Sequence, residues 1–324
     1  MKILYGYRNS AELKDPIAAI GIFDGVHIGH KRLIKRILNS PGHGRDRTIV
    51  TFDPHPQAVL NPRRTPPRIM SLEHRLFIFE KMGLNAAIVI NFSDFIASMN
   101  PGEFIQKIII NGIGARTVYV GGNFHFGTGR AGNIESFREV GKRYGLEVHT
   151  VQPVRKNGKI VSSTWLRRLI TKGNLEKAEK LLRRPVSVLG TVVKGDARGK
   201  ILGAPTANID PHQEVIPPPG VYAVKVDTGG KLHDGILNIG FRPTFYGRSP
   251  FRRKEPLMEV HIFDLDRDLY GSSMEIFFIK KLRNEKRFKN VEGLIEQIKK
   301  DAERAEKVLG GKRILYKIRK YKPI

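Results

Sequence analysis

Along the first half of the chain, hydrophobic positions follow two alternating patterns. IAAIGIF (17–23), TIVTF (48–52), AAIVIN (86–91), RTVYVG (116–121) and LEVHTV (146–151) are short, nearly continuous apolar runs that predict buried strands. Between them apolar residues recur at helical spacing. In HKRLIKRIL (30–38), Leu33, Ile34, Ile37 and Leu38 share one face, while Lys31, Arg32, Lys35 and Arg36 take the other. LEHRLFIFEKM (72–82) and PGEFIQKIII (101–110) predict two further helices, the second with Pro101 in its first turn. This alternation predicts an α/β fold with a doubly wound parallel sheet, covered on both faces, whose ligands bind at the carboxyl ends of the strands.

The pattern changes near residue 184. SVLGTVV (187–193), GVYAVKVD (220–227), GILNIG (235–240), MEVHIFDLD (258–266) and MEIFFIKKL (274–282) predict strands separated by Gly/Pro-rich turns, and no helix intervenes before NVEGLIEQIKKDAERAEKVL (290–309). Several strands followed by one helix predict a small barrel or sandwich with a helix packed outside. The boundary falls in NLEKAEKLLRRPVSVLG (174–190), a helix ended by Pro185, which gives domains 1–183 and 184–324.

The length of 324 residues suits two such domains. Cysteine is absent, which excludes disulfides, thiolate zinc sites and cysteine nucleophiles. No run of 18 apolar residues and no secretory segment at the N-terminus can be found, so no membrane partner and a cytoplasmic location are expected. The 57 Lys and Arg outnumber the 31 Asp and Glu, for a net charge of +26. That excess is spread over both halves, and only KRILYKIRKYKPI (312–324) is a locally basic run. A diffuse excess speeds capture of any polyanion, ATP included. A nucleic-acid-binding protein with this tail as its contact arm is the competing interpretation.

GIFDGVHIGH (21–30) continues from the end of the first predicted strand. If the helix starts near His27, His27 and His30 project from its first turn toward the same side. Free N–H groups and the positive end of the helix dipole favour anions there. Gly21, Gly25 and Gly29 allow close backbone approach. An imidazole donates to a phosphate oxygen, and protonation makes that bond charge-assisted. Taken alone, the pair is equally well explained by one capping and one surface histidine, and zinc would need a third ligand that is not evident. VSSTWLRRLI (161–170) offers Ser162, Ser163 and Thr164 at a helix start, with Arg167 and Arg168 about one turn on, although a simple N-cap accounts for the hydroxyls as well. VGGNFHFGTGRAGN (120–133) is a glycine-rich loop after a strand, carrying Asn123, Phe124, Phe126 and Arg130.

GTVVKGDARGKILGAPTANI (190–209) is glycine-rich but lacks the G-x-x-x-x-G-K-[ST] pattern. In its PTAN segment, the Thr206 hydroxyl and the Asn208 carbonyl oxygen suit Mg²⁺ carrying ATP phosphates. Extended backbone points both the same way, and an ordinary turn is the plain alternative. In MEVHIFDLDRDLYG (258–271), Met258, Val260 and Ile262 alternate with Glu259, His261 and Phe263. A carboxylate at Glu259 accepts the proton of an alcohol nucleophile, unless it is merely a solvent-facing glutamate.

In this order the segments resemble the nucleotidyltransferases with an H-x-G-H signature and a late I-S-S-T/S-x-x-R segment. The chain most resembles the bacterial bifunctional riboflavin kinase/FAD synthetase (FMN adenylyltransferase) family. GIFDGVHIGH, TFDPHP (51–56), VGGNFHFGTGRAGN and VSSTWLR resemble its N-terminal signatures. GTVVKGDARGKILGAPTANI, GVYAVKV, LNIGFRPTF and MEVHIFDLDRDLYG resemble those of its Greek-key kinase barrel. The resemblance implies that the first half moves AMP from ATP to FMN, giving FAD and pyrophosphate. Gly21, Phe23, Asp24, Gly25, His27, His30, Asn123, Ser162, Ser163, Thr164 and Arg167 would then bind ATP, with His27 and His30 acting in the transfer. Pro54, Pro56, Phe124 and Phe126 would wall the flavin. The second half would phosphorylate riboflavin with Glu259 as base, Thr206 and Asn208 holding Mg-ATP, Gly190, Gly195 and Gly199 shaping the nucleotide loop, and Arg283 near the flavin. ATP, Mg²⁺ and the flavins riboflavin, FMN and FAD are the implied ligands; nucleic acid is not expected, and a homo-oligomer is left open. Asn123 stands where relatives carry aspartate, and Ala204 replaces an aromatic residue. These departures leave open a chain that keeps only one activity.

Overall fold

The first strand, β1 (Lys2–Tyr5), is one the apolar pattern does not single out. In the computed structural model it is followed by β2 (Ile17–Ile20), β3 (Arg47–Phe52), β4 (Ala86–Ile90), β5 (Thr117–Gly121) and β6 (Glu147–Val151), each within a predicted run or overlapping it. All six pair in parallel in the order β1-β4-β3-β2-β5-β6. Every residue of β2 and β4 is buried, as strands covered on both faces must be. The chain steps outward from β2 through β3 to β4, then returns to place β5 on the other side of β2. The order therefore reverses between β2 and β5, and their carboxyl ends flank the crevice where doubly wound sheets hold ligands.

The structure describes residues 1–8, 10–194, 206–241, 256–265, 267–288 and 290–310. They form two compact units: Met1–Pro67 with Leu72–Ser163, and Arg68–Ser71 with the described residues from Thr164 onward. In the first unit, α1 (Ile28–Leu38) buries Leu33, Ile34 and Ile37, and its basic face is largely exposed, as predicted. α2 (Pro56–Leu60) is short, whereas α3 (Leu72–Lys81) is buried at six consecutive residues from His74 to Phe79. After α4 (Asp94–Ser98), α5 (Pro101–Glu103) starts on Pro101 with an Asn100–Glu103 capping box. The predicted helix continues over Phe104–Ile110 with π winding, which turns Phe104, Ile105, Ile108 and Ile109 into the core. α6 (Ile134–Arg143) packs before β6.

The second unit begins with α7 (Ser163–Thr171, from Thr164) and α8 (Leu175–Leu182), which ends at Arg183 in the left-handed region shortly before Pro185. β9 (Val186–Val193), β10 (Ala207–Asp210), β11 (Gly220–Asp227), β12 (Leu232–Gly240), β13 (Leu257–Ile262) and β14 (Ser273–Arg283) close an antiparallel barrel in the order β10-β13-β12-β11-β14-β9. The pattern predicts five of these strands; β10, which contains Asn208, is the sixth and completes the ring. Predicted strand 258–266 stops at Ile262. α9 (Val291–Leu309) lies outside the barrel, with Ala305 and Leu309 packed on Val221, Ala223, Ile236 and Leu282.

Candidate functional sites

Between β2 and α1 the backbone is forced through an unusual turn. Phe23, Gly25 and Val26 all have positive φ, at +56°, +83° and +40°. Glycine accepts this readily, but a β-branched valine does not, so the turn stores strain that packing must hold. Phe23 and Val26 are fully buried, and the Phe23 ring meets His30 at 5.3 Å and Phe79 at 5.6 Å. The loop carries Asp24, which is also buried.

His27 is the N-cap of α1. Its Nδ1 accepts the His30 backbone N–H at 3.3 Å, which places its own ring proton on Nε2. The two imidazoles stack with centroids 3.7 Å apart and planes inclined by 15°. Gly29 makes this possible: a Cβ there would lie 3.1 Å from the His27 ring. Burial pushes His27 down to about 4. His30 is held well below the ordinary histidine range by burial, by His27 and by the Arg75 guanidinium. Both rings are therefore neutral near pH 7. Burial, the first cause for each ring, thus disfavours the charged form that would give a charge-assisted bond.

Of the other predicted residues, Ser163 reaches this turn. Ser163 donates from Oγ to the Asp24 carbonyl at 2.8 Å, joining the VSST segment to the loop. Ser162 is half-buried in the first unit; Thr164, exposed, and Arg167, half-buried, belong to α7 in the second. Asn123 is exposed just beyond β5, the strand beside β2. Phe126 is a core residue, 4.9 Å from Phe137 and 5.5 Å from Phe104, so it anchors the loop rather than facing out of it. Phe124 stacks on Phe126 and stays half-exposed. Pro54 and Pro56 are half-buried, and Pro56 opens α2 behind an N-cap at His55. A cavity of about 890 Å³ lined by Arg32, Lys35, Arg36, Tyr119, Arg138 and His149 contains none of the predicted site residues.

In the barrel, strand register assembles the second constellation. Glu259 on β13 lies directly opposite Asn208 on β10 and directly opposite Asn238 on β12. Met258, Val260 and Ile262 point into the core, so this row lies on the outer barrel face, as the alternation predicts. Directly opposed side chains sit about 5 Å apart at Cβ. Asn208 is buried, and its Oδ1 has no hydrogen-bond partner among the described residues. Thr206, just before β10, is exposed. Asn238 is the member that sequence reasoning misses.

The row continues through Val221 to Arg283. The Arg283 guanidinium is engaged by Asp301 of α9, with Nε at 3.1 and 2.9 Å from its two oxygens and Nη2 at 2.8 Å, and it fastens the helix to the barrel. Gly190 sits inside β9 rather than in a loop. A Cβ there would be 2.4 Å from Ile209 and 2.6 Å from the Asp210 carbonyl, so glycine permits the close approach of β10. Gly195, Gly199 and Ala204 lie outside the described residues.

Comparison with known proteins bears on both halves of the chain. Residues 9–165 match the FAD synthetase family and residues 182–309 the riboflavin kinase family. The chain is 34% identical over 295 residues to the bifunctional riboflavin kinase/FMN adenylyltransferase of Bacillus subtilis, covering 89% of this chain and 91% of that one. It is 33% identical over 315 residues to that of Escherichia coli K12, covering 96% and 98%. A crystal structure of a macrolide-efflux protein from Streptococcus pneumoniae matches with a TM-score of 0.77 at 27% identity, over 94% of this chain and 99% of that one. Two family matches in succession, and relatives of nearly full length, decide the assignment: the chain belongs to the bifunctional riboflavin kinase/FMN adenylyltransferase family.

Proposed function

We propose that the chain phosphorylates riboflavin to FMN in its barrel and adenylylates FMN to FAD in its parallel-sheet half, with the division between domains at residues 183 and 184. The observation that carries the second activity is the stacked histidine pair at the switch point of the sheet. An FMN phosphate oxygen attacks the α-phosphorus of ATP in line, and pyrophosphate leaves. No protein nucleophile is needed, so the residues act by positioning and by stabilising charge. His27 donates from Nε2 and His30 from its ring N–H to phosphate oxygens, while Gly21, Phe23, Asp24 and Gly25 shape the turn beneath them. Ser162, Ser163, Thr164, Arg167 and Asn123 complete the triphosphate site. Phe124, with Pro54 and Pro56, walls the flavin on a base supplied by Phe126.

In the barrel, Glu259 accepts the proton of the ribityl 5′-hydroxyl as that oxygen attacks the γ-phosphorus of ATP, whose bond to the bridging oxygen breaks to release ADP. The residues present fit a magnesium ion. Asn208 Oδ1 is a buried oxygen with no hydrogen bond among the described residues, and the Thr206 hydroxyl is a second oxygen donor close by in sequence. No cluster of three His, Cys, Asp or Glu able to hold a metal occurs among the described residues, which suits an ion carried in on ATP. When bound, Mg²⁺ would neutralise phosphate charge. Gly195 and Gly199 are assigned to nucleotide binding, Gly190 serves it by letting β10 approach β9, and Arg283 borders the flavin. The partners are small molecules rather than nucleic acid, with the +26 charge steering phosphates toward the enzyme. No helix among the described residues is long and apolar enough to cross a membrane. We assign the enzyme to the cytoplasm, and a homo-oligomer is compatible with this assignment.

The test is a time course with riboflavin, ATP and Mg²⁺, with the flavins separated by chromatography. FMN should rise first and fall as FAD accumulates. FMN accumulating with no FAD, or FAD forming only from added FMN, would leave a single activity.

A further inference from the structure

We infer that Arg75 is a positioning residue for adenylyl transfer: its guanidinium ties the carboxyl ends of β2 and β3 together behind the histidine pair and fixes the turn that receives ATP. The inference rests on the adenylyl-transfer function proposed above. Arg75 lies in the middle of the buried helix α3 and is 5% exposed. Its Nη1 donates to the Ile22 carbonyl at 2.6 Å and to Thr51 Oγ1 at 2.9 Å. Thr51 Oγ1 donates in turn to the same carbonyl at 3.1 Å. Nη2 lies 3.7 Å from Asp53 Oδ1. Ile22 belongs to GIFDGVHIGH, and Thr51 and Asp53 belong to TFDPHP. One side chain from outside every signature segment thus joins two of them.

The chemistry favours arginine at this place. A buried cation is costly unless its donors are used, and only a planar fork reaches a carbonyl, a hydroxyl and a carboxylate at once. The Asp53 contact is long, and the guanidinium is near enough to His30 to lower it. The titratable groups facing His30 are His27, stacked on it from the same turn, and Arg75 from α3, with Asp53 beside the guanidinium. Arg75 therefore shapes the turn and adds, behind burial and His27, to the lowering of His30.

The test uses the full-length enzyme carrying Arg75→Met or Arg75→Lys, with riboflavin phosphorylation by the barrel as internal reference and His30 titration followed by NMR. Arg75→Met should lower kcat/KM for ATP in FMN adenylylation by about 100-fold, the scale of a 1 Å misplacement. It should leave riboflavin phosphorylation unchanged and move the His30 titration upward. Arg75→Lys should return the titration toward its original position while recovering only part of the rate, because the fork is gone. An unchanged kcat/KM, or a His30 titration that does not move, overturns the inference. Should Arg75→Met fail to fold, Thr51→Val removes only the hydroxyl shared with Ile22; a smaller loss in adenylylation supports the role, and no loss overturns it. Full FAD synthesis by a His27→Ala/His30→Ala enzyme would instead sink the underlying assignment, so the two failures are distinguishable.

Discussion

The two halves build their proposed phosphate sites by different architectural means. In the parallel sheet every strand delivers its loop to the same end, so one short segment after β2 supplies turn, histidines and helix terminus together. The geometry is local and enforced by strain, with three positive φ values in four residues held by buried Phe23 and Val26. In the antiparallel barrel no end is privileged. Asn208, Asn238 and Glu259 are far apart in sequence and become neighbours only because the register of β10, β12 and β13 aligns them. A switch-point site depends on the shape of one loop; a barrel-face site depends on the pairing of several strands.

The sharpest way to break this comparison is to disable each site alone. Glu259→Ala should reduce riboflavin phosphorylation by about 10³-fold, within the usual range for a lost general base, while FMN adenylylation stays intact. A kinase rate unaffected by the change would remove Glu259 from the chemistry. The next largest effect belongs to His27→Ala/His30→Ala, which removes the two proposed phosphate donors. FAD formation from FMN should fall by about 10²–10³-fold, with riboflavin phosphorylation preserved. If both activities fell together in either variant, the halves would not be the independent catalysts described here.

The same contrast explains what could be read from the residues alone. His27, Gly29 and His30 are legible because their geometry lies within one helical turn. Arg75 is not, since its partners Thr51 and Ile22 are 24 and 53 positions away and its neighbours in LEHRLFIFEKM suggest only a core helix. In the barrel, alternation alone assigns Glu259 to the outer face, yet nothing local marks Asn238 as its neighbour. β1 escapes notice because Lys2 and Tyr5 are exposed on an edge strand. F-x-F at 124–126 misleads in a different way. Phe124 and Phe126 stack on each other and both meet Phe137, but only Phe126 of the two is buried.

Acid should separate the halves by stability. His27 titrates near 4 in the folded chain against an ordinary value of 6.5, because its charged form is desolvated. Between those values the unfolded chain binds more protons. The stabilisation from keeping His27 neutral is complete above pH 6.5 and is lost as pH falls toward 4, by about 3 kcal/mol in all. His30 shifts in the same direction and steepens the loss. Among the described residues of the barrel unit no histidine is buried, and half-buried His233 is lowered in the same direction, by desolvation first. Hydrogen exchange followed by peptide mass spectrometry from pH 7 to 4 should show the parallel-sheet unit opening first, and His27→Gln should flatten its pH dependence. Equal slopes in both units would contradict the neutral buried pair.

The smallest change tests the turn most closely. Gly29 is the second residue of α1, where alanine favours the helix over glycine by up to about 1 kcal/mol. Its φ is not positive, so the backbone does not require glycine. What requires it is the His27 ring, 3.1 Å from where a Cβ would stand. Gly29→Ala should therefore leave the fold as stable as before or more so, while the ring moves by a few tenths of an ångström and its already long 3.3 Å cap bond weakens. Because small misplacements of positioned groups are amplified in rate, FMN adenylylation should drop by about tenfold, with riboflavin phosphorylation untouched. A rise in melting temperature together with that drop would show the glycine serving the histidine rather than the helix. A stable variant with full adenylylation would mean that the stacked geometry is tolerated over a wider range than a positioned donor pair allows.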